Sequence, residues 1–356
     1  MKRIFMILSV LGLFVFMKQV DAQTDSVIVI RGEETQVAEK FYNEGIAMYN
    51  AQRLDEAIQK FGDALREDSN FALAYLNRAS VYSDKGNFSS ALLDFNEYIQ
   101  RMPEDAKGYY LRGNAYYALQ KLDEALSDYS KAIQINPKND NAYYFRGTIK
   151  FEKELYQDAI LDFSEAVKIN PDYAYAYNDR GSAKKMLDDN AGAIEDYTLA
   201  IRANPKQAFF YNNRGSAKRK SNEHKEAISD YKMAIDLNPN YFIALNNRGY
   251  AYYEIGEFTN AIDDFSKAIN INSEYAYAYN NRGNSKYKIK DYHGAIADYD
   301  KALELDSDMA YTYMHRGNAK EMIRDIKGAI ADWEKAASMG VEAAAAYAKR
   351  YKDDNF

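Results

Sequence analysis

The chain has 356 residues and no cysteine, which excludes disulfides, zinc–thiolate centres, iron–sulfur clusters and a cysteine nucleophile. Three histidines leave little for metal or acid–base chemistry, and a net charge of −7 is opposite to the footprint of a nucleic-acid binder. Apolar residues at 47% mark a chain that folds, and 33 tyrosines against only 5 prolines and 18 glycines point to long helical stretches with a structural or binding role.

The chain opens with Lys2 and Arg3, followed by an apolar run of 14 residues from Ile4 to Met17. Val20-Asp21-Ala22 then sets small or apolar residues at the positions a signal peptidase reads. Residues 1–22 are therefore expected to be a secretory signal peptide, cleaved before Gln23. As a helix the run would rise about 21 Å, short of the ~30 Å hydrocarbon core, so a retained anchor is not expected. No second long apolar run follows, so no membrane span is expected after cleavage. Residues 23–37 form a leader of unknown structure that fits no later pattern.

Beyond the leader the prolines reveal the organisation. Pro103, Pro137, Pro171, Pro205 and Pro239 are spaced by 34 residues. Arg-Gly recurs with the same period, from Arg112-Gly113 to Arg316-Gly317, with Arg78-Ala79 and Glu44-Gly45 continuing it backwards. Twelve residues after each of these glycine positions stands Ala, as at Ala193 and Ala227, and four further on an aromatic, as at Tyr197, Tyr231, Phe265 and Trp333. Nine units result, starting near 38, 72, 106, 140, 174, 208, 242, 276 and 310 and ending near 341.

With the first residue of each unit as position one, the glycine is position eight. Positions four, seven, eight and eleven fall within about a 100° arc of a 3.6-residue helix, its packing face. Gly at eight, facing Ala at twenty, allows a second helix to approach closely. Asn-Pro, as in Asn170-Pro171, ends that second helix, because proline disfavours helix in the residue before it. No unit could bury its apolar face alone, so stacking must make one continuous core.

Aromatic, Gly, Ala, aromatic, Ala and Pro at these offsets over a 34-residue period resemble the tetratricopeptide repeat. The resemblance implies an all-α fold of helix–turn–helix repeats stacked as a right-handed superhelical solenoid. It also implies a concave groove, lined by the first helix of each pair, that binds peptides or proteins. Residues 342–356 read as a C-terminal capping helix and tail. One departure is instructive: position seven, commonly Leu in the family, is Arg in eight repeats, and position twenty-three is Asp in the same eight. Antiparallel packing brings seven near twenty-three, which predicts intra-repeat ion pairs such as Arg214 with Asp230 and Arg248 with Asp264. In repeat one the signs reverse, with Glu44 and Lys60.

Candidate groove residues occupy the first-helix positions away from the packing face. They are Asn178, Asn212, Asn213, Asn246, Asn247, Asn280, Asn281, Asn284 and Asn318, with Tyr175, Tyr253, Tyr277, Tyr287 and Tyr311. An Asn amide both donates and accepts, so a row of them could hold a peptide backbone, or could equally satisfy inter-repeat hydrogen bonds. A basic group, Lys184-Lys185, Lys218-Arg219-Lys220, Lys286, Lys288 and Lys320, offers either capture of an acidic partner or stems packed on aromatics. Position five is never Lys and position six never Arg, so the clamp by which some family members hold acidic chaperone tails is not expected.

No catalytic constellation, cofactor motif or metal-ligand spacing is present, and no enzyme is expected. The expected function is that of an exported, periplasmic or envelope-associated scaffold binding a protein or peptide, with no nucleic acid as partner. The alternatives are a glycan-binding envelope protein using the groove tyrosines, or an accessory subunit of a secreted enzyme.

Overall fold

The computed structural model describes residues 33–353, all of whose regular structure is α-helical. The signal-peptide expectation and most of the leader lie outside the described residues. The chain divides after Lys153 into two compact units.

The first unit contains α1 (Glu33–Asn50), α2 (Leu54–Glu67), α3 (Ala72–Asp84), α4 (Phe88–Arg101), α5 (Ala106–Ala118), α6 (Leu122–Ile135) and α7 (Asp140–Glu152). The second begins with α8 (Tyr156–Ile169), α9 (Ala174–Met186), α10 (Asn190–Ala203), α11 (Ala208–Lys220) and α12 (His224–Leu237). It continues with α13 (Phe242–Glu254), α14 (Phe258–Ile271), α15 (Ala276–Lys288), α16 (Tyr292–Leu305), α17 (Ala310–Met322), α18 (Ile326–Ser338) and α19 (Glu342–Asp353). Odd-numbered helices up to α17 are the first helices of the repeats, even-numbered ones the second. Helix α1 starts at Glu33, inside the segment whose structure the sequence leaves undecided.

Close approach at position eight sets the helix pairs of repeats one, three and five to nine. A Cβ built on Gly113 in the first unit would lie 2.8 Å from the Tyr129 ring, and one on Gly45 2.7 Å from Phe61. In the second unit Gly215 meets Tyr231 at 2.9 Å, Gly249 meets Phe265 at 2.9 Å and Gly317 meets Trp333 at 2.7 Å. Those rings are fully buried, as are the alanines at position twenty, so the aromatic fills the space that the absent Cβ leaves. The same ring then packs on the next repeat: Tyr129 stacks on Phe145 at 6.0 Å, and Trp333 meets Tyr347 and Tyr351 of α19 at 5.6 and 5.3 Å. Helix α19 buries Ala344 and Ala348 against repeat nine, which closes the core at that end.

The helices stop for local reasons. Asn136, Asn170, Asn204, Asn238 and Asn272 close second helices in extended conformation, as the following proline requires where one is present. Each side chain also accepts the backbone N–H two residues on, for example Asp172 N–H to Asn170 Oδ1 at 3.2 Å. The same cap forms at Asn272, which is followed by Ser273, so the Asn alone suffices. N-caps come from Asn87, Asp189, Asp291 and Asp325, whose carboxylate or amide oxygens accept an N–H three residues on.

The turn between the paired helices needs a left-handed residue at position fifteen. Gly86 and Gly256 supply it at φ 74° and 82°, but Gln120, Asp188, Asn222, Lys290 and Arg324 adopt it with side chains, at φ 58° to 68°. For an L-residue other than Gly this conformation costs about 1–2 kcal/mol. Replacing the exposed Lys290 by Gly is expected to raise unfolding stability by about 0.5–1 kcal/mol after Gly's own entropy cost. A urea midpoint shifted upward at unchanged slope checks it, and no shift would mean the turn carries no strain.

Candidate functional site

Consecutive first helices touch in the second unit: α9 with α11, α11 with α13, α13 with α15 and α15 with α17. No pair of consecutive second helices comes as close. The first helices therefore lie on the inner side of that array, and the positions read from sequence as candidates lie on them.

The charged pairs come first because they position the rest. Arg214 Nε and Nη2 donate to Asp230 Oδ2 and Oδ1 at 2.9 and 2.6 Å, and Arg248 makes the same fork with Asp264 at 2.7 Å each. The geometry repeats for Arg78–Asp94 and Arg112–Asp128 in the first unit, and for Arg180–Asp196, Arg282–Asp298 and Arg316–Asp332 in the second. In repeat one Lys60 reaches Glu44 at 2.5 Å. These aspartates are buried, Asp264 to 2% exposure, and the hydrogen bond to Asp264 holds the Arg248 guanidinium above its ordinary range. The third donor, Nη1, turns to position twenty-five of the preceding repeat: Arg180 to Ser164, Arg214 to Thr198, Arg282 to Ser266, Arg316 to Asp300. One guanidinium thus ties its own two helices together and to the repeat before.

The basic group is resolved by the same aspartates. Lys184, Lys218, Lys286 and Lys320, one turn after the Arg, each place Nζ 2.8 Å from the second carboxylate oxygen of Asp196, Asp230, Asp298 and Asp332. Neither sequence reading, partner capture or stems on aromatics, describes these four. The signal was present: the position-seven Arg of repeats five, six, eight and nine is followed four residues later by Lys, which puts both cations on one helical stripe.

The Asn row is engaged inside the protein. Position six of one repeat donates to position five of the repeat before it: Asn213 Nδ2 to Asn178 Oδ1 at 3.0 Å, Asn247 to Asn212 at 2.9 Å, Asn281 to Asn246 at 3.1 Å. Thr312 Oγ1 continues the row onto Asn280 Oδ1 at 3.0 Å. In the first unit Asn77 does the same to the Tyr42 hydroxyl at 2.8 Å. The expectation that position five points away from the packing does not hold here, since Asn178, Asn212 and Asn246 are buried. Adjacent first helices are close enough to pinch the amides between them. Asn284 and Asn318 are also internal: their Oδ1 atoms accept from Tyr299 Oη and Trp333 Nε1 at 2.9 Å.

The tyrosines divide differently. Tyr311 is 65% exposed and Tyr277 39%. Tyr175 packs edge-on to Phe210 at 5.7 Å, with Phe209 alongside at 6.0 Å. Tyr253 packs on Phe258 and Tyr287 on Tyr292, and burial pushes both phenols upward. What the first-helix face offers to solvent is aromatic surface at positions two and twelve, not a row of unsatisfied amides. Among the described residues no group of three His, Cys, Asp or Glu could hold a metal ion, and no helix is long and apolar enough to cross a membrane.

Sequence profiles of the tetratricopeptide repeat match residues 106–139 and 276–309, and a second such profile matches 42–106 and 144–208. A TPR-repeat profile matches 215–256 and 249–290. The chain is a tetratricopeptide-repeat protein with many tandem repeats. Among solved structures it resembles the Cut9–Hcn1 hetero-tetramer of the APC/C at 15% identity, covering 97% of this chain and 81% of that one with a TM-score of 0.55. A tetratricopeptide-repeat protein from Parabacteroides merdae is 21% identical, covering 73% of this chain and 98% of that one with a TM-score of 0.53. YrrB, described as having an unusual peptide-binding site, is 23% identical over 52% of this chain and 95% of its own, with a TM-score of 0.47. No curated protein sequence matches the chain.

Two outcomes test this account. Removing Arg248 leaves Asp264 without a cation among the described residues, whereas Asp230 keeps Lys218 when Arg214 is removed. Arg248→Ala should therefore destabilise its repeat by about 3–5 kcal/mol and Arg214→Ala by distinctly less. Hydrogen exchange of the α12 and α14 amides reads each repeat separately, and equal losses would contradict the role given to Lys218. Asn212→Ala, which strips Asn247 of its acceptor, should cost about 1–3 kcal/mol, while Tyr311→Ala should stay within about 0.5 kcal/mol. Thermal unfolding of the two variants decides between a structural and a free Asn row.

Proposed function

We propose that the protein is a non-enzymatic interaction scaffold that binds a protein or peptide along the inner first-helix face of its second unit. The observation that carries the reading is the exposure of Tyr277 and Tyr311 on that face, in a row begun by Tyr175 and Phe209 at the same position of earlier repeats. Tyrosine supplies large contact area at low conformational cost and is enriched where proteins meet. Rings stand at position two in four of the five repeats five to nine, with Ile243 in repeat seven, so an extended segment would meet an apolar side chain at each. The tetratricopeptide family and the peptide-binding description of YrrB agree with this use. Export is part of the proposal, and its support is the Lys2-Arg3 start, the apolar run and the Val20-Asp21-Ala22 site.

Affinity capture with the chain beginning at Gln23, followed by titration of the recovered partner, tests the binding. Joint replacement Tyr277→Ala and Tyr311→Ala is expected to weaken that partner by about tenfold or more, the range of aromatic interface anchors, at unchanged thermal stability. Full affinity in the double variant would place the binding surface elsewhere. Mass measurement of the protein recovered from the envelope fraction of its source cells tests export, and a chain still beginning at Met1 would refute cleavage.

A further inference from the structure

Position two holds Ile243, Tyr277 and Tyr311 in repeats seven, eight and nine. Tyr277 lies 5.8 Å from Tyr275, which meets Phe242 edge-on at 5.1 Å, so the exposed ring stands on a packed aromatic base. The amide oxygens around these rings are committed inside the protein. Those of Asn246, Asn280 and Asn281 accept from Asn281, Thr312 and Asn280, and those of Asn284 and Asn318 accept from Tyr299 and Trp333. The first-helix carbonyls are used along the helices themselves.

Charge and hydrogen bonding together restrict what can lie there. Positions two, five, six and nine of these three repeats hold no Asp, Glu, Lys or Arg, and burial holds the His315 imidazole below its ordinary range, so it is neutral at pH 7. Charge complementarity therefore selects an uncharged occupant, because a charged group would lose water and gain no partner. An ordinary extended segment carries one N–H per residue, and each N–H turned onto this face would lose water against acceptors already in use. Proline has no N–H. What the face offers is donors, the hydroxyls of the exposed Tyr277 and Tyr311, and a polyproline helix keeps its carbonyls free to accept.

We propose that the segment bound on this face is proline-rich and lies there in the polyproline II conformation. The repeats have the matching period. Helices in side-chain contact lie about 8–10 Å apart, and polyproline II returns to the same face every three residues, about 9 Å on. An extended strand returns every two residues, about 7 Å on, and would fall out of step with the rings. An α-helix returns to one face over seven residues, about 10.5 Å on, but its carbonyls are already taken and leave the tyrosine hydroxyls without acceptors. This rests on the reading of the first-helix face as a peptide site, and it adds the class of segment which that site selects.

The test follows the tyrosine rings by NMR of the tyrosine-labelled chain beginning at Gln23 while three probes are added. The probes are decaproline, a Gly-Ser decapeptide and a helical Ala-Gln peptide, all acetylated and amidated so that none carries charge. Decaproline is expected to shift the Tyr277 and Tyr311 signals saturably, and the other two to leave them in place. Raising salt should not weaken decaproline, because no free charge takes part. Tyr311→Ala, at an exposed position that does not threaten folding, should weaken decaproline by about tenfold. Tyr311→Phe keeps the ring and removes the donor, and should weaken it by about two- to tenfold. If decaproline moves neither signal, or the Gly-Ser or Ala-Gln peptide moves them as strongly, the assignment is refuted. Affinity that falls steeply with salt, or that is unchanged in both Tyr311 variants, refutes it as well. Should a captured partner still depend on Tyr277 and Tyr311 in that case, the peptide-binding reading stands and only the proline-rich assignment falls.

Discussion

The contact on which the rest depends is a missing methyl group. Gly at position eight lets an aromatic ring from the second helix lie against the backbone of the first, at a distance no Cβ would tolerate. That close spacing sets position seven opposite position twenty-three, and repeat two reaches the same Arg78–Asp94 fork with Ala79 in place of Gly. It also aims the ring past its own repeat, where Tyr129 reaches Phe145 and Trp333 reaches the closing helix. Local geometry within a pair thereby becomes the means of stacking pairs, which is how a repeat too small for its own core acquires one.

Polar groups then follow from the closeness rather than causing it. A buried aspartate costs free energy unless it is fully paired, and seven of them here are met by an Arg fork and, in four repeats, by a Lys as well. The Arg gains in turn from the Tyr three residues before it on the same helix, as Arg214 over Tyr211 at 5.8 Å. The amides of the Asn row are treated in the same way: each buried acceptor finds its donor one repeat on. Hydrogen bonds with a fixed 35-residue separation specify register between repeats, something apolar contacts between near-identical surfaces do poorly.

Much of this was legible in the sequence because it is periodic. The Arg and Asp sixteen residues apart, the Gly and the ring, and the family they define all follow from offsets. The use of the Asn row did not follow, since an amide exposed to a ligand and an amide shared between helices have the same spacing. Deciding between them takes the distance between adjacent first helices, which no single repeat encodes. The lysines at position eleven were misread for a related reason: taken by run, Lys184-Lys185 and Lys218-Arg219-Lys220 look like patches, whereas helical geometry turns Lys184 and Lys218 onto the aspartates and Lys185, Arg219 and Lys220 away from them. Left-handed side chains at Gln120 and Lys290 carried no sequence signal, because only Gly86 and Gly256 announce that turn.

In an array of this kind, information resides where the repeats differ. Positions four, seven, eight, twenty, twenty-three and twenty-four are nearly constant and are consumed by the fold. Positions two and twelve vary from Lys107 to Tyr311 and from Lys185 to Glu321. Constancy at the first set keeps any variation at the second from disturbing the stack, so the inner face can change residue by residue. Repeat six shows where the two sets meet. Ser182 at position nine of repeat five meets the Tyr197 hydroxyl at 3.0 Å, whereas Ser216 at the same position of repeat six accepts from Lys185 Nζ at 3.4 Å and the Tyr231 hydroxyl has no bond to it.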